Sequence, residues 1–110
     1  MLDESDFQNK ASQAIEDLEE RLIALSDEHG FDVEGGGGML TLIFEEPAPA
    51  RFIISPNSPA RQIWVSALAT SFKFDWDEGV NSFVLDKTRE NFHFVIAKLL
   101  TSQLGIEVRL

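Results

Sequence analysis

The order of hydrophobic periodicities along these 110 residues predicts an α+β fold: a two-layer sandwich whose antiparallel meander sheet carries the N- and C-terminal helices on one face. Three observations carry the prediction. Apolar side chains in the first 25 or so residues recur at spacings of three and four. The middle of the chain holds short runs that alternate apolar with polar and are punctuated by Gly, Pro, Asn and Asp. A second three-and-four pattern follows. With both helices on one face, the other face of the sheet is left to solvent.

From about Asp3 to Glu28 the stripe Phe7, Ala11, Ala14, Ile15, Leu18, Leu22 and Leu25 marks a helix with a core-facing side. Asp or Ser near its start fits an N-cap, and Gly30 fits a stop. At about 100° per residue, Glu16, Glu19, Glu20 and Asp27 fall together on the far side. Ile23 lies near that acidic arc with no packing reason for being apolar. Phe31–Glu34 reads as a first strand, Gly35 to Gly38 as the turn, and Met39–Phe44 as a second strand. The glycine run feeds a strand and lacks a following Lys-Ser/Thr, so it is a flexible turn and no phosphate cradle.

After the loop Glu45–Ala50, strands are expected at Arg51–Ile54 and Arg61–Ser66, joined by a polar turn with two prolines, Pro56 and Pro59. Ile63 and Val65 point one way; Gln62, Trp64 and Ser66 point the other. Alternation alone leaves Trp64 either exposed or, after a one-residue slip, in the core. The one-sided placement of the helices favours exposure beside Arg61 and Gln62, a composition typical of recognition surfaces. Phe72–Trp76 puts three aromatics on one face, Asp77–Gly79 turns, and Asn81–Leu85 completes a hairpin. Thr88 is the expected N-cap of the second helix, which runs to about Leu104 on a face of Phe92, Val95, Ile96, Leu99, Leu100 and Gln103 and stops at Gly105. Ile106–Leu110 alternates as a tail or edge strand.

Length predicts one domain spanning residues 1–110. No apolar run approaches the roughly 20 residues of a membrane helix, and the start is acidic, without the pattern of a signal or transit peptide, which predicts a cytoplasmic protein. With no cysteine there are no disulfides, thiolate metal sites or cysteine nucleophiles. Of the formal charge of −10, residues 1–34 carry −9 and the other 76 carry −1. Such a chain repels phosphate backbones and suits cations or a basic protein surface, so nucleic acid is excluded as a partner. His29 and His93 stand at no ligand-like spacing, and His93 between Phe92 and Phe94 reads as a packing residue. No nucleophile sits in an activating motif, so no catalytic residue is assigned. Asp75-Trp76-Asp77 begins like a calcium loop, but Gly79 comes one place early and Asp86 stands where Glu is needed. The helix acids offer oxygen donors only, suited to hard cations bound weakly through water. On residues alone, a solvated face that aids solubility is the simpler account of them.

Leu2-Asp3-Glu4-Ser5-Asp6-Phe7, Glu19-Glu20-Arg21-Leu22, Gly37-Gly38-Met39-Leu40-Thr41-Leu42, the segment from Ile54 through Pro59-Ala60-Arg61-Gln62-Ile63-Trp64-Val65-Ser66, and Phe74-Asp75-Trp76 occur in the order seen in frataxins, including the bacterial CyaY type. The chain resembles that family over nearly its whole length, most specifically at Pro-x-(Lys/Arg)-Gln-Ile-Trp. The resemblance implies a non-enzymatic, iron-binding regulator of iron–sulfur cluster assembly. It implies weak iron binding at Glu4, Asp6, Glu19, Glu20, Glu28, Asp32 and Glu34, with Asp27 matching only the eukaryotic pattern. It also implies docking on a cysteine desulfurase and scaffold through Glu16, Glu19, Glu20, Asn57, Arg61, Gln62 and Trp64. Ile23 and Ala24 replace two acids common in bacterial members, which thins the ridge, and Ser55 and Pro56 replace an Asn and a basic residue before the tryptophan. A monomer is expected, with metal-dependent oligomers open. The alternatives are an iron-storing or detoxifying oligomer with ferroxidase-like activity and an acidic interaction domain with no metal role.

Overall fold

A computed structural model describes residues 2–110. Helix α1 (Glu4–His29) is followed by β1 (Asp32–Gly36), β2 (Met39–Phe44), β3 (Ala50–Asn57), β4 (Gln62–Ala67), β5 (Thr70–Asp77), β6 (Ser82–Leu85) and helix α2 (Phe92–Leu104). The six strands form one antiparallel meander in chain order. Phe7, Ile15, Leu18 and Leu22 of α1 and Phe92, Ile96 and Leu100 of α2 share a core with Leu40, Leu42, Phe52, Ile54, Ile63, Val65 and Phe74 of the sheet. Strands β2 to β6 turn alternate residues to that core and β1 adds only the partly buried Val33, all on one side of the sheet, so both helices lie on one face, as the periodicities predict. Among the described residues no helix is long and apolar enough to cross a membrane.

Both ends of α1 follow the sequence expectation. Asp3 caps the start, its carboxylate accepting the Asp6 N–H at 2.7 Å. Gly30, at φ 76°, closes the end with its N–H on the Ser26 carbonyl. The first hairpin differs from its prediction: Gly35 and Gly36 are paired strand residues, and only Gly37 and Gly38 turn, both at positive φ. That is the two-residue geometry whose twist matches the flanking strands.

Pro56 belongs to β3, paired with Ile63, and not to the turn. It lies beyond the last β2 pair, Leu40 with Ile54, where the strand has a free edge and a missing N–H is tolerated. The turn is Ser58-Pro59-Ala60-Arg61. Arg61 takes φ 54° and so precedes β4 instead of starting it. β4 and β5 are joined by Leu68 and Ala69, both at positive φ, a turn with no glycine or asparagine to announce it.

The second helix starts later than predicted. Arg89 at φ 64° and the bridge from Val84 to Asn91 hold the chain out of helical geometry, and Asn91 is the N-cap, accepting the His93 N–H at 2.9 Å. The Thr88 hydroxyl instead accepts the Glu90 N–H within the connecting loop. Two ion pairs clamp that loop: Arg89 with Asp77 at 2.6 Å and Lys98 with Glu90 at 3.0 Å. The Arg89 and Lys98 hydrogen bonds hold both carboxyls below their ordinary pKa. The tail forms no strand. Val108 is buried, and its N–H goes to the Thr101 hydroxyl, which pins the tail on α2.

Candidate metal and partner-binding surfaces

The acids of α1 are strung along a helix that rises about 1.5 Å per residue, so Glu4 and Glu28 stand roughly 36 Å apart. Glu4 and Asp6 sit exposed in the first turn, where the positive end of the helix dipole favours them. Glu16, Glu20, Asp27 and Glu28 are exposed further along. Glu19 departs from the prediction of a far-side residue. Half-buried, it lies over the backbone of β1, its carboxylate occupying the place that a Cβ on Gly35 would take. A glycine there leaves room for the carboxylate, which explains part of the glycine run that a flexible turn did not.

Asp32 and Glu34 stand at the exposed edge strand. Their register partners, Ile43 and Thr41, alternate with the buried Leu42 and Leu40, which places both acids on the outer, solvent face. The ridge therefore turns a corner, from the helix layer at Glu19 and Glu20 across the edge of β1 to the open face. Among the described residues no three Asp, Glu or His side chains converge. The donor set fits a hard cation that keeps most of its water and touches one or two carboxylates, and does not fit a closed protein cage.

Trp64 is exposed to 39%, flanked by the fully buried Ile63 and Val65, so the unslipped register is the observed one. Its indole N–H donates to the Gln62 amide oxygen at 2.9 Å, and the Gln62 amide nitrogen donates to Asp75 at 2.9 Å. Using both ends of the amide fixes its orientation. Lys73, the cross-strand partner of Trp64 on β5, holds its ammonium 5.1 Å from the ring centroid. On the other side Ser55 pairs with Trp64. The ring is thus held on the open face by an amide below it and a cation beside it.

Arg61 does not stand free beside Trp64 as predicted. Its guanidinium turns back to the Ser58 carbonyl of its own turn, and its Nε has no partner among the described residues. Asn57 serves that same turn, its side-chain oxygen accepting the Ala60 N–H at 2.9 Å. Both residues shape the loop next to Trp64. Lys73 and Asp75 are the residues that sequence reasoning missed: they follow from the β4–β5 register, which the Leu68-Ala69 turn conceals. Ile23, 47% exposed, lines a shallow groove with Asp27 and Asp32, so the apolar interruption of the ridge is open to solvent.

His93 is half-buried against Phe92, its ring centroid 5.6 Å from that phenyl. Burial, then the nearby Arg21 charge, pushes its pKa down, against an opposing pull from Asp17. It is a neutral packing histidine near neutral pH, in keeping with the sequence reading.

The model of the frataxin-like domain matches residues 1–106. An iron-sulfur cluster assembly protein CyaY of Pseudomonas fluorescens (strain Pf0-1) is 30% identical over 95 residues, covering 84% of each chain. The protein of the same name from Ectopseudomonas mendocina is 29% identical over 105 residues, 94% of this chain and 87% of the relative. Among solved structures, a frataxin from Psychromonas ingrahamii superposes with a TM-score of 0.79 at 24% identity, covering 98% of this chain and 97% of that one.

Proposed function

This chain belongs to the frataxin-like family of CyaY type, and from that premise we propose that it is a non-catalytic regulator of iron–sulfur cluster assembly that docks on a cysteine desulfurase and its scaffold. The observation that carries the reading is the continuity of two unlike surfaces. Acids run from α1 over the edge of β1 onto the outer face, and Trp64 stands on that same face three strands away, roughly 14 Å at about 4.8 Å per strand. A partner with a basic patch beside an apolar pocket would engage both at once. The acids supply long-range attraction, and Trp64 supplies a desolvated contact.

Iron is the regulated cargo in this reading. It would sit at the dispersed carboxylates, with Glu19 and Glu20 on the helix and Asp32 and Glu34 across the corner as its donors. Weak, water-rich binding at the docking acids would couple the iron level to partner affinity, because the same charges serve both. Storage or ferroxidase chemistry in an oligomer needs several carboxylates shared between metal ions, and the spread of the acids along α1 favours regulation instead.

The experiment is the rate of sulfide release by a purified desulfurase and scaffold, with and without this protein, across iron and salt concentrations. A protein-dependent change that deepens with iron and fades with salt is the expected result. No change at saturating protein, with a desulfurase from the same organism, would overturn the reading. Many irons per chain in a large particle would move the assignment to storage.

A further inference from the structure

We propose that the free edge of β1 accepts an extended basic segment of a partner protein as a further strand of the sheet, with an apolar residue of that segment seated on Ile23. The inference rests on the docking reading for the existence of a partner and adds how the partner is held. The turn at Gly37-Gly38 closes on the Gly36–Met39 pair, whose main-chain groups bond across it. Bonding alternates from there, so Glu34 and Asp32 also turn their N–H and C=O to β2, while Val33 and Gly35 turn theirs to the open edge. Asp32, Glu34, Gly35 and Gly36 are exposed, and Val33 is partly covered. The opposite edge is closed: Val84 of β6 bridges to Asn91, and the Leu85 N–H donates to the Glu90 carbonyl. Edge strands are commonly blunted by lysine, proline or a bulge, and β1 has none of these.

Ile23 gives this edge its second feature. Around α1 it falls within roughly 40° of Glu16, Glu19 and Asp27, an apolar side chain 47% exposed inside an acidic arc. It shares a hollow with Asp27, Asp32 and Val33, and a second hollow beyond Glu19 is bordered by Glu16, Gly36 and Gly38. Val33 and Gly35 pair with the buried Leu42 and Leu40, so they face the helix layer. A strand laid beside β1 would therefore turn alternate residues toward Ile23 and Glu19, and the residues between them toward Asp32 and Glu34 on the outer face. Main-chain bonds hold such a strand and the alternate side chains select it.

Charge decides which strand. The two hollows are lined by Glu16, Glu19, Asp27 and Asp32 with no Lys or Arg, and Glu34 stands on β1 between Asp32 and the turn. A second copy of this chain pairing through β1 would bring Asp32 and Glu34 against their own counterparts, and like charges opposed across strands are destabilising. The acids thus close the edge to the protein itself and open it to lysine and arginine. The fitting segment has basic residues opposite Asp32 and Glu34 and an apolar residue opposite Val33, over Ile23.

The test uses a capped peptide of alternating lysine and valine, Lys-Val-Lys-Val-Lys, with exchange of the Val33 and Gly35 amides with water read by NMR on the nitrogen-15-labelled full chain at low salt. Saturable slowing at Val33 and Gly35 is expected, with Glu34, already bonded to β2, changing far less. N-methylation of both valines keeps every charge but removes the donors that face β1, and should weaken binding about tenfold. N-methylation of the lysines, whose N–H groups point away, should alter it by less than about twofold. Ile23→Ser, at an exposed position, should weaken the parent peptide about threefold through lost apolar contact. Equal binding of the valine-methylated peptide would reduce the edge to a diffuse charge and overturn the proposal. So would unaltered affinity in Ile23→Ser, absence of protection at about 5 mM peptide, far above a submillimolar Kd, or protection that rises with protein concentration alone, which would give the edge to a second copy. The sulfide-release experiment uses intact partners and no peptide, so failure there and failure here are separate results.

Discussion

The acidic ridge and the tryptophan face of this protein share a surface but are built in opposite ways. Along α1 and β1 the charges are many and loosely held: among the described residues, apart from Glu28 beside His29, none of the ridge acids forms an ion pair, and Glu19 is packed against the backbone of Gly35. Around Trp64 the formal charge is small and the scaffold is tight, with a hydrogen-bonded chain of Trp64, Gln62 and Asp75 and a lysine on the ring. A loose field of charge acts at a distance and tolerates rearrangement. A fixed aromatic acts on contact and has already lost its rotamer freedom before binding. The two regions should therefore appear in different rate constants.

The largest effect is expected at Trp64. Trp64→Ala should speed dissociation from the desulfurase–scaffold complex by about 30- to 1000-fold, corresponding to a hot spot of roughly 2–4 kcal/mol, with association nearly unchanged. Stopped-flow or surface-capture kinetics would measure both constants, and a melting curve close to that of the parent would show that the fold is intact. The double reversal Glu19→Lys with Glu20→Lys should do the converse: association slower by about tenfold at low salt, the difference vanishing near 1 M, and dissociation little altered. If both variants changed only the off-rate, the division between steering and contact would fail.

That division was partly visible in the sequence, and the reasons differ by residue. The caps of α1 and the alternation of β4 are local, so Asp3, Gly30 and the outward Trp64 could be read from neighbours in the chain. The partners of Trp64 could not. Lys73 and Asp75 reach it through a hairpin register set by Leu68-Ala69, two residues with no intrinsic preference for positive φ, held there by the pairing of Ala67 with Thr70. The same kind of turn at Gly37-Gly38 is written in glycine and still overextended the prediction, because nothing local says that Gly35 and Gly36 should pair. Asn91 displaced Thr88 as the cap for a tertiary reason, the bridge to Val84. Arg61 looked like a recognition residue by composition, but a left-handed backbone turns its guanidinium onto its own loop. The spread of the ridge acids over two faces was hidden as well, since it depends on which side of the edge strand faces the helix.

The concealed turn gives the third prediction, smaller and on stability. Replacing Leu68-Ala69 with Asn-Gly should raise unfolding free energy by about 1 kcal/mol, since both positions then accept positive φ without steric strain. Leu68 is exposed, so little packing is lost. Denaturant melts would show a higher midpoint at the same slope, and the dissociation rate from the partner should stay within about twofold, because the register beneath Trp64 and Lys73 is retained. A loosened partner complex would mean that the strained turn itself contributes to the contact.

The smallest expected effect is also the most discriminating for the ridge. Gly35→Ala places a methyl where the Glu19 carboxylate now lies, so the side chain must swing away while every charge is kept. The atom displaced is the far end of a flexible side chain, and the fold should lose about 1 kcal/mol or less. If the ridge works as a field, association should change by less than about twofold, because attraction at the range of a Debye length is insensitive to a shift of a few ångströms. Iron affinity separates the same possibilities from the other side. Dispersed sites that use one or two carboxylates each should keep most of their affinity when Glu19 moves, whereas a built site centred on Glu19 should lose it. Isothermal titration of iron(II) into both proteins under anaerobic conditions, beside the association rates, would show whether Glu19 packs on Gly35 to bind a metal or simply because the glycine leaves it room.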